Sequence, residues 1–254
     1  MLPDLEIVIA NDNSYLLMKN DDLIGKELRL HGDFAKSERV CCEKFIANKQ
    51  NIAVIDIGAN IGTFAIGVAK LLQKIDGRLI CFEPQRIIFQ QLCSNIFLNQ
   101  LENVHAFNLA VGKENQIIEL PIIDFHESTN PGGFSVNENI RNHLNDEYRK
   151  GTTAPNIYKS AISEKMQVIT IDSLNIEDKI AFFKVDVEGG ELEVLIGSQN
   201  TLKRNNFPPI VFEDWGNKFS WYKEKSTMTF EFINSLGYKI TQLEGRNFLA
   251  EYAN

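Results

Sequence analysis

The chain has 254 residues and a mass of 28.9 kDa, with 44% apolar and 24% charged side chains, a globular balance that excludes disorder and fibrous repetition. Asp and Glu outnumber Lys and Arg by 34 to 26, giving a net charge of −8 spread along the chain. That balance argues against a polyanionic partner such as nucleic acid and favours a small-molecule acceptor or a neutral polymer such as a glycan.

In chain order, LEIVIA (5–10) and YLLMKN (15–20) predict a β-hairpin broken at the Asn/Asp cluster of residues 11–13, and apolar spacing from Phe34 to Ala47 predicts a helix. Residues 1–50 thus read as a short N-terminal β/α extension. The first residues carry acids where an export signal carries Lys or Arg. Cys41, Cys42, Cys81 and Cys93 form no CxxC pair, so plain buried thiols in a reducing, cytoplasmic setting are expected. The most apolar stretch, residues 52–72, holds Asp56 and Lys70 and is too polar for a membrane span.

From residue 51 the pattern becomes alternating strands and helices. IAVIDI (52–57) is a continuous apolar run suited to a parallel strand buried on both faces, followed by a glycine turn and a helix. Next come strand RLICFE (78–83), a helix over about 87–99, and strands NVHAFNLAV (103–111) and QIIELPI (116–122). Beyond a polar interval follow QVITIDSL (167–174), AFFKVDV (181–187), a helix over about 191–204, PIVFED (209–214), a helix near 228–236, and a hairpin of YKITQL and NFLAEY across Glu244, Gly245 and Arg246. This order predicts an α/β, doubly wound, mostly parallel sheet ending in an antiparallel C-terminal hairpin. A ligand is expected at the C-terminal ends of its strands. The interval 123–166, with Pro131-Gly132-Gly133 and little periodicity, is expected to be a lid or substrate insertion, or else a plain surface excursion.

The segment Asp56-Ile57-Gly58-Ala59-Asn60-Ile61-Gly62 carries only one of the three glycines of a dinucleotide fingerprint, which weakens a nicotinamide reading. What remains is an acid-x-Gly-x-x-x-Gly turn of the kind that receives S-adenosylmethionine (AdoMet). Its glycines let the backbone approach the methionine end, and Asp56 is placed to meet the cofactor's ammonium directly or through water. Glu83 ends the next apolar strand, where its two oxygens suit a ribose diol, and Pro84 stops the strand behind it. A helix cap for Asp56 and a solvated strand end for Glu83 are the plainer readings. Farther on, KVDVEGGELEVLIG delivers Asp186 and Glu188 to the same sheet edge, with period two aiming both acids to one side.

Taken together, IDIGANIG, CFEP, NLAVG, TIDSL and KVDVEGGELEVLIG resemble the FkbM-type AdoMet-dependent methyltransferases over about residues 54–213. The resemblance implies a class I methyltransferase (Rossmann-like) fold over residues 51–254 and, usually, transfer to a hydroxyl oxygen in natural-product, glycan or lipid biosynthesis. By position it places Asp56, Gly58, Ala59, Asn60 and Gly62 around the methionine end, Glu83 at the ribose, Ala110 by the adenine, and Asp186 and Glu188 beside the transferred methyl. Gly190 departs from the bulkier residue often found before Glu191, a difference that bears on substrate packing.

An alcohol is a weak nucleophile at neutral pH, so a base within hydrogen-bond reach is needed; Asp186 is the first candidate and Glu188 the second. Asp186 could instead only orient the acceptor or the cofactor's ammonium, and Glu188 could cap the following helix. Asp186, Glu213 and Asp214 could together hold a hard divalent cation, but a solvated strand end is the simpler reading and no metal is assigned. His105 reads as half-buried in a strand, His126 and His143 as surface residues and alternative bases. Trp215, Phe219, Trp221 and Tyr222 are placed either to stack on a ring substrate or to pack on the last helix. The competing functions are N-methylation, a catalytically silent AdoMet binder, and a nicotinamide oxidoreductase.

Overall fold

In a computed structural model that describes residues 2–128, 130–149 and 162–253, Asn11 and Asp12 both adopt left-handed φ (49° and 57°) and turn β1 (Leu5–Ala10) back on β2 (Asn13–Met18). Helix α1 (Ile24–His31), which the sequence pattern did not announce, ends at Gly32 in the left-handed conformation, and α2 (Lys36–Ile46) follows. The open edge of β2 is closed by amides of α4 (Arg86–Leu98). Asn95 and Asn99 accept from Leu16 N and Ser14 N, while Gln91 donates to Leu16 O. These side chains occupy the place of a neighbouring strand.

The main sheet has seven strands in the order β11-β12-β10-β9-β3-β4-β5. At its centre β3 (Ile52–Ile57) is buried throughout between β9 (Lys179–Val185) and β4 (Arg78–Phe82), with β5 (Val104–Phe107) at one edge. β10 (Ile210–Glu213) lies parallel to β9, and β12 (Asn247–Tyr252) inserts antiparallel between β10 and β11 (Tyr238–Gln242). Alternation along the strands divides the core in two. Val54 and Phe182 join a cluster with Leu17, Cys42 and Phe64 of α3 (Thr63–Gln73), whereas Ile55 and Phe183 join Leu195, Phe212 and Ile233. The N-terminal elements therefore share a buried core with the central strands. All four cysteines are free, and only Cys93 is half-buried.

Several boundaries differ from the sequence pattern. The run 103–111 breaks at Asn108, whose amide donates to the carbonyls of Glu83 and Pro84; the chain then leaves the main sheet. It forms β6 (Ala110–Val111), part of a small sheet with β8 (Ser163–Ile169) and β7 (Gln116–Pro121). β8 stops before Thr170, whose hydroxyl accepts from Ser173 N and starts a 3-10 turn where a strand was expected. The expected helix over 191–204 is two, α6 (Glu191–Ile196) and α7 (Gln199–Arg204), parted where Gly197 passes the backbone of Gly112 too closely for any side chain. Helix α8 (Lys223–Ser235) begins earlier than its apolar residues suggest. The polar interval contains α5 (Glu138–Arg149), whose Ile140 and Leu144 are buried on one face; its residues 129 and 150–161 lie outside the described set.

Candidate active site

The turn after β3 is set by one close approach. Gly58 has φ +83°, and a Cβ there would lie 1.7 Å from the carbonyl oxygen of Asp186. Gly58 N and Ala59 N both donate to Phe82 O, and Asp186 N donates to Ile57 O, so the ends of β3, β4 and β9 are tied in one knot of backbone. Asn60 is left-handed (φ 52°) with its side-chain oxygen accepting from Ile61 N, and Gly62 (φ +95°) leads into α3.

A cleft opens at this C-terminal edge of the sheet, where a doubly wound fold places its ligands. Gly58, Asn60, Glu83, Ala110, Asp186 and Glu188 line it, so these sequence candidates are brought together. Asp56, Ala59 and Gly62 do not. Ala59 is buried in the apolar core, a Cβ on Gly62 would meet Leu92, and Asp56 is fully enclosed. The strand end aims Asp56 inward, at Lys184, behind the cleft wall.

Lys184 is buried, with Nζ 3.1 Å from Asp56 Oδ1, 3.2 Å from Gly58 O and 3.5 Å from Asp186 Oδ2. Burial works against its charge, but Asp56 and Asp186 outweigh burial and hold the ammonium above its ordinary range. Asp56 is pushed upward by burial, with Lys184 opposing; its second oxygen meets no hydrogen-bond donor among the described residues.

Glu83 is buried at the cleft wall, one oxygen accepting from Asn60 N at 3.0 Å and the other from Gln85 N at 2.9 Å. Burial raises its pKa to about 7. Each oxygen retains a lone pair for a further donor. Gln85 also donates to Pro131 O, and Gly132, Phe134 and Val136 complete the wall, which brings residues 131–136 of the inserted interval over the cleft.

At the opposite end, Asp186, Glu188 and Glu213 have carboxylate oxygens all within 4.8 Å of one another. Asp214, the third acid expected there, turns away to Ser226 and Gly216 N. Glu213 is held by Trp215 Nε1 at 2.6 Å and Arg246 at 2.8 Å, while Glu188 sits in a left-handed conformation (φ 55°) uncommon for a residue with a side chain. Burial and the negative charges of Glu213 and Asp186 push Glu188 well above its usual range; Glu213 rises to about 8, chiefly through burial. Lys184 and Arg246 already face two of these acids, and only proximity marks the cluster as a cation site. Glu191, whose role the sequence did not suggest, accepts from Val187 N, Gly189 N and Tyr222 Oη and so holds the loop that carries Glu188.

His105 is exposed on edge strand β5, not half-buried, because it shares with Phe107 the face of that strand that the core leaves uncovered. His126 and His143 are exposed and outside the cleft lining, His143 stacked on Trp221 at 4.6 Å. Trp215 and Tyr222 are buried with Ile140 and Leu144, so this aromatic run packs on the inserted helix α5.

A family model described as the methyltransferase FkbM domain matches residues 56–240. The chain is similar to methyltransferase sdnD of Sordaria araneosa, 29% identical over 189 residues that cover 67% of this chain and 69% of that one. Its fold resembles the crystal structure of methyltransferase FkbM from Methylobacillus flagellatus KT (TM-score 0.51, 17% identity), covering 80% of this chain and 44% of that chain, so it spans less than half of that larger protein.

Proposed function

The chain belongs to the FkbM family of AdoMet-dependent methyltransferases, and from that premise we propose that it methylates a hydroxyl oxygen of a sugar, glycan or other polyhydroxylated small molecule. The observation that carries this reading is the carboxylate-lined end of the cleft at Asp186 and Glu188, with Glu213 beside them. Hydroxyls donate hydrogen bonds to such groups. An amine there would be held protonated by the same charges and so lose the lone pair it needs to attack.

AdoMet, when bound, supplies an electrophilic methyl group on a sulfonium. Glu83 offers its remaining lone pairs to the ribose hydroxyls, Gly58 and Asn60 shape the methionine end, and Ala110 with Phe134 walls the adenine end. Asp56, Ala59 and Gly62 act from behind by fixing the turn. Asp186 orients the acceptor or the amino group of the donor. Glu188, whose affinity for a proton is raised by burial and by its acidic neighbours, would take the acceptor's proton as the oxygen–carbon bond forms and the carbon–sulfur bond breaks to release S-adenosylhomocysteine. Residues 132–136 exclude water from that step. Reach and alignment within the cleft supply much of the rate.

The test is a thermal-shift comparison of AdoMet, S-adenosylhomocysteine and NAD, followed by release of S-adenosylhomocysteine with panels of sugars, polyols and amines. Stabilisation by the two sulfur nucleotides and turnover with hydroxyl acceptors is expected. Turnover confined to amines would replace the O-methyl reading, and binding without turnover on any panel would favour a silent binder.

A further inference from the structure

The three N–H donors of Lys184 are matched by three acceptors: Asp56 Oδ1 and Gly58 O at hydrogen-bond distance, and Asp186 Oδ2 at 3.5 Å. The Phe64 ring lies 5.8 Å from the ammonium and helps to shut it from solvent. The methionine turn thus contains a cradle for an ammonium group, and the chain's own lysine fills it. Asp56 faces into this cradle and is fully enclosed, whereas the Asp186 side chain is 37% exposed and lines the cleft. One cation therefore links the glycine turn to the acid on the neighbouring strand.

We propose that Lys184 is a positioning residue for methyl transfer, anchoring Asp186 Oδ2 to the glycine turn so that the carboxylate stays fixed beside the cleft where the methyl group is presented. This rests on the AdoMet reading above. It assigns Asp186 to orientation and leaves proton removal to Glu188. It also makes Asp56 a structural counter-charge for Lys184, with no cofactor contact of its own.

The test needs no acceptor. S-adenosylhomocysteine and sinefungin share a nucleoside and an amino-acid tail, but sinefungin bears a protonated amine where AdoMet bears its methyl. A carboxylate held at that point should make sinefungin bind about tenfold more tightly, the scale of a hydrogen bond between charged groups. Both dissociation constants are measured by calorimetry for four proteins. The wild type and Asp56→Asn, which keeps the Lys184–Asp186 link, are expected to show the preference. Asp186→Asn and the double variant Asp56→Asn/Lys184→Met are expected to lose it, the readout being the ratio of the two constants within each protein, from which any general loss of nucleoside affinity cancels. The double variant is chosen because Lys184→Met alone leaves a buried uncompensated carboxylate, whereas removing both charges leaves a neutral, similarly filled site. A folded double variant that retains the preference overturns the proposal, as does a wild type without one. A wild type that binds neither nucleoside instead brings down the AdoMet reading itself.

Discussion

The carbonyl oxygen of Asp186 and the α-carbon of Gly58 approach so closely that an added Cβ would sit 1.7 Å from that oxygen. The contact is backbone to backbone and has no flexible side chain to move aside. Gly58→Ala should therefore destabilise the protein by about 3 kcal/mol or more and abolish nucleoside binding. Gly32→Ala is the control: φ is +67° with open space around it, so only the conformational cost of about 1 kcal/mol applies. Urea midpoints of the two variants separate the two effects.

Glu83 should make both stability and cofactor affinity depend on pH, in opposite senses. Its folded pKa of about 7 exceeds the ordinary carboxylate value of 4.5, so the folded state holds the extra proton in that window. The stability it contributes is fully present below pH 4.5 and is lost as pH rises through 7, at about 1.4 kcal/mol for each pH step between those two values. The ribose contact proposed for Glu83 needs the ionised form, which accepts from Asn60 N and Gln85 N and still has lone pairs to offer. The melting temperature of the unliganded protein should fall between pH 5 and pH 8 while affinity rises; Glu83→Gln should flatten the first trend and weaken binding about tenfold.

Glu188→Gln should lower turnover roughly 10²–10⁴-fold with nucleoside affinity retained, the usual scale for losing a general base. Glu213 helps to raise Glu188, so Glu213→Gln should move the acidic limb of the rate profile to lower pH. Arg246 opposes that rise, and Arg246→Met should move the limb the other way. A profile unaffected by either substitution would remove Glu188 from the proton-transfer step.

Gln85 Nε2 holds the inserted segment against the cleft through Pro131 O at 3.0 Å. Gln85→Leu leaves that carbonyl without its donor at a cost of about 1–3 kcal/mol. The nucleoside off-rate should rise several-fold while the rate of methyl transfer in a single turnover changes little. Stopped-flow release of a fluorescent nucleoside analogue would read it.

The main sheet, the glycine turn and Glu83 were legible because each rests on a local pattern: a continuous apolar run, a glycine spacing, an acid before Pro84. Long-range pairing was less so. Asp56 reads as a ligand contact since nothing in IDIGANIG reveals that Lys184, 128 residues away, would claim it. Asp214 and Glu188 exchange places in the expected acid group, because adjacent acids at a strand end point to opposite sides and the side is fixed by Ser226. Helix α5 escapes notice as Asn, Glu and Asp outnumber its two buried anchors, Ile140 and Leu144, and their partners lie in the Trp215–Tyr222 segment.

The placement of β12 between β10 and β11 also bears on the order in which the enzyme can come to life. During synthesis the edge of β10 stays bare until residues beyond Gly245 have been made, and only then does Arg246 arrive to meet Glu213. The nucleoside half of the cleft takes no lining residue from that late segment, but Phe248, Leu249 and Ala250 complete the two cores on which β3, β4 and β9 pack. The last strand to be made is thus an interior one, and a nascent chain should not hold its methyl donor firmly until that strand has slotted into place.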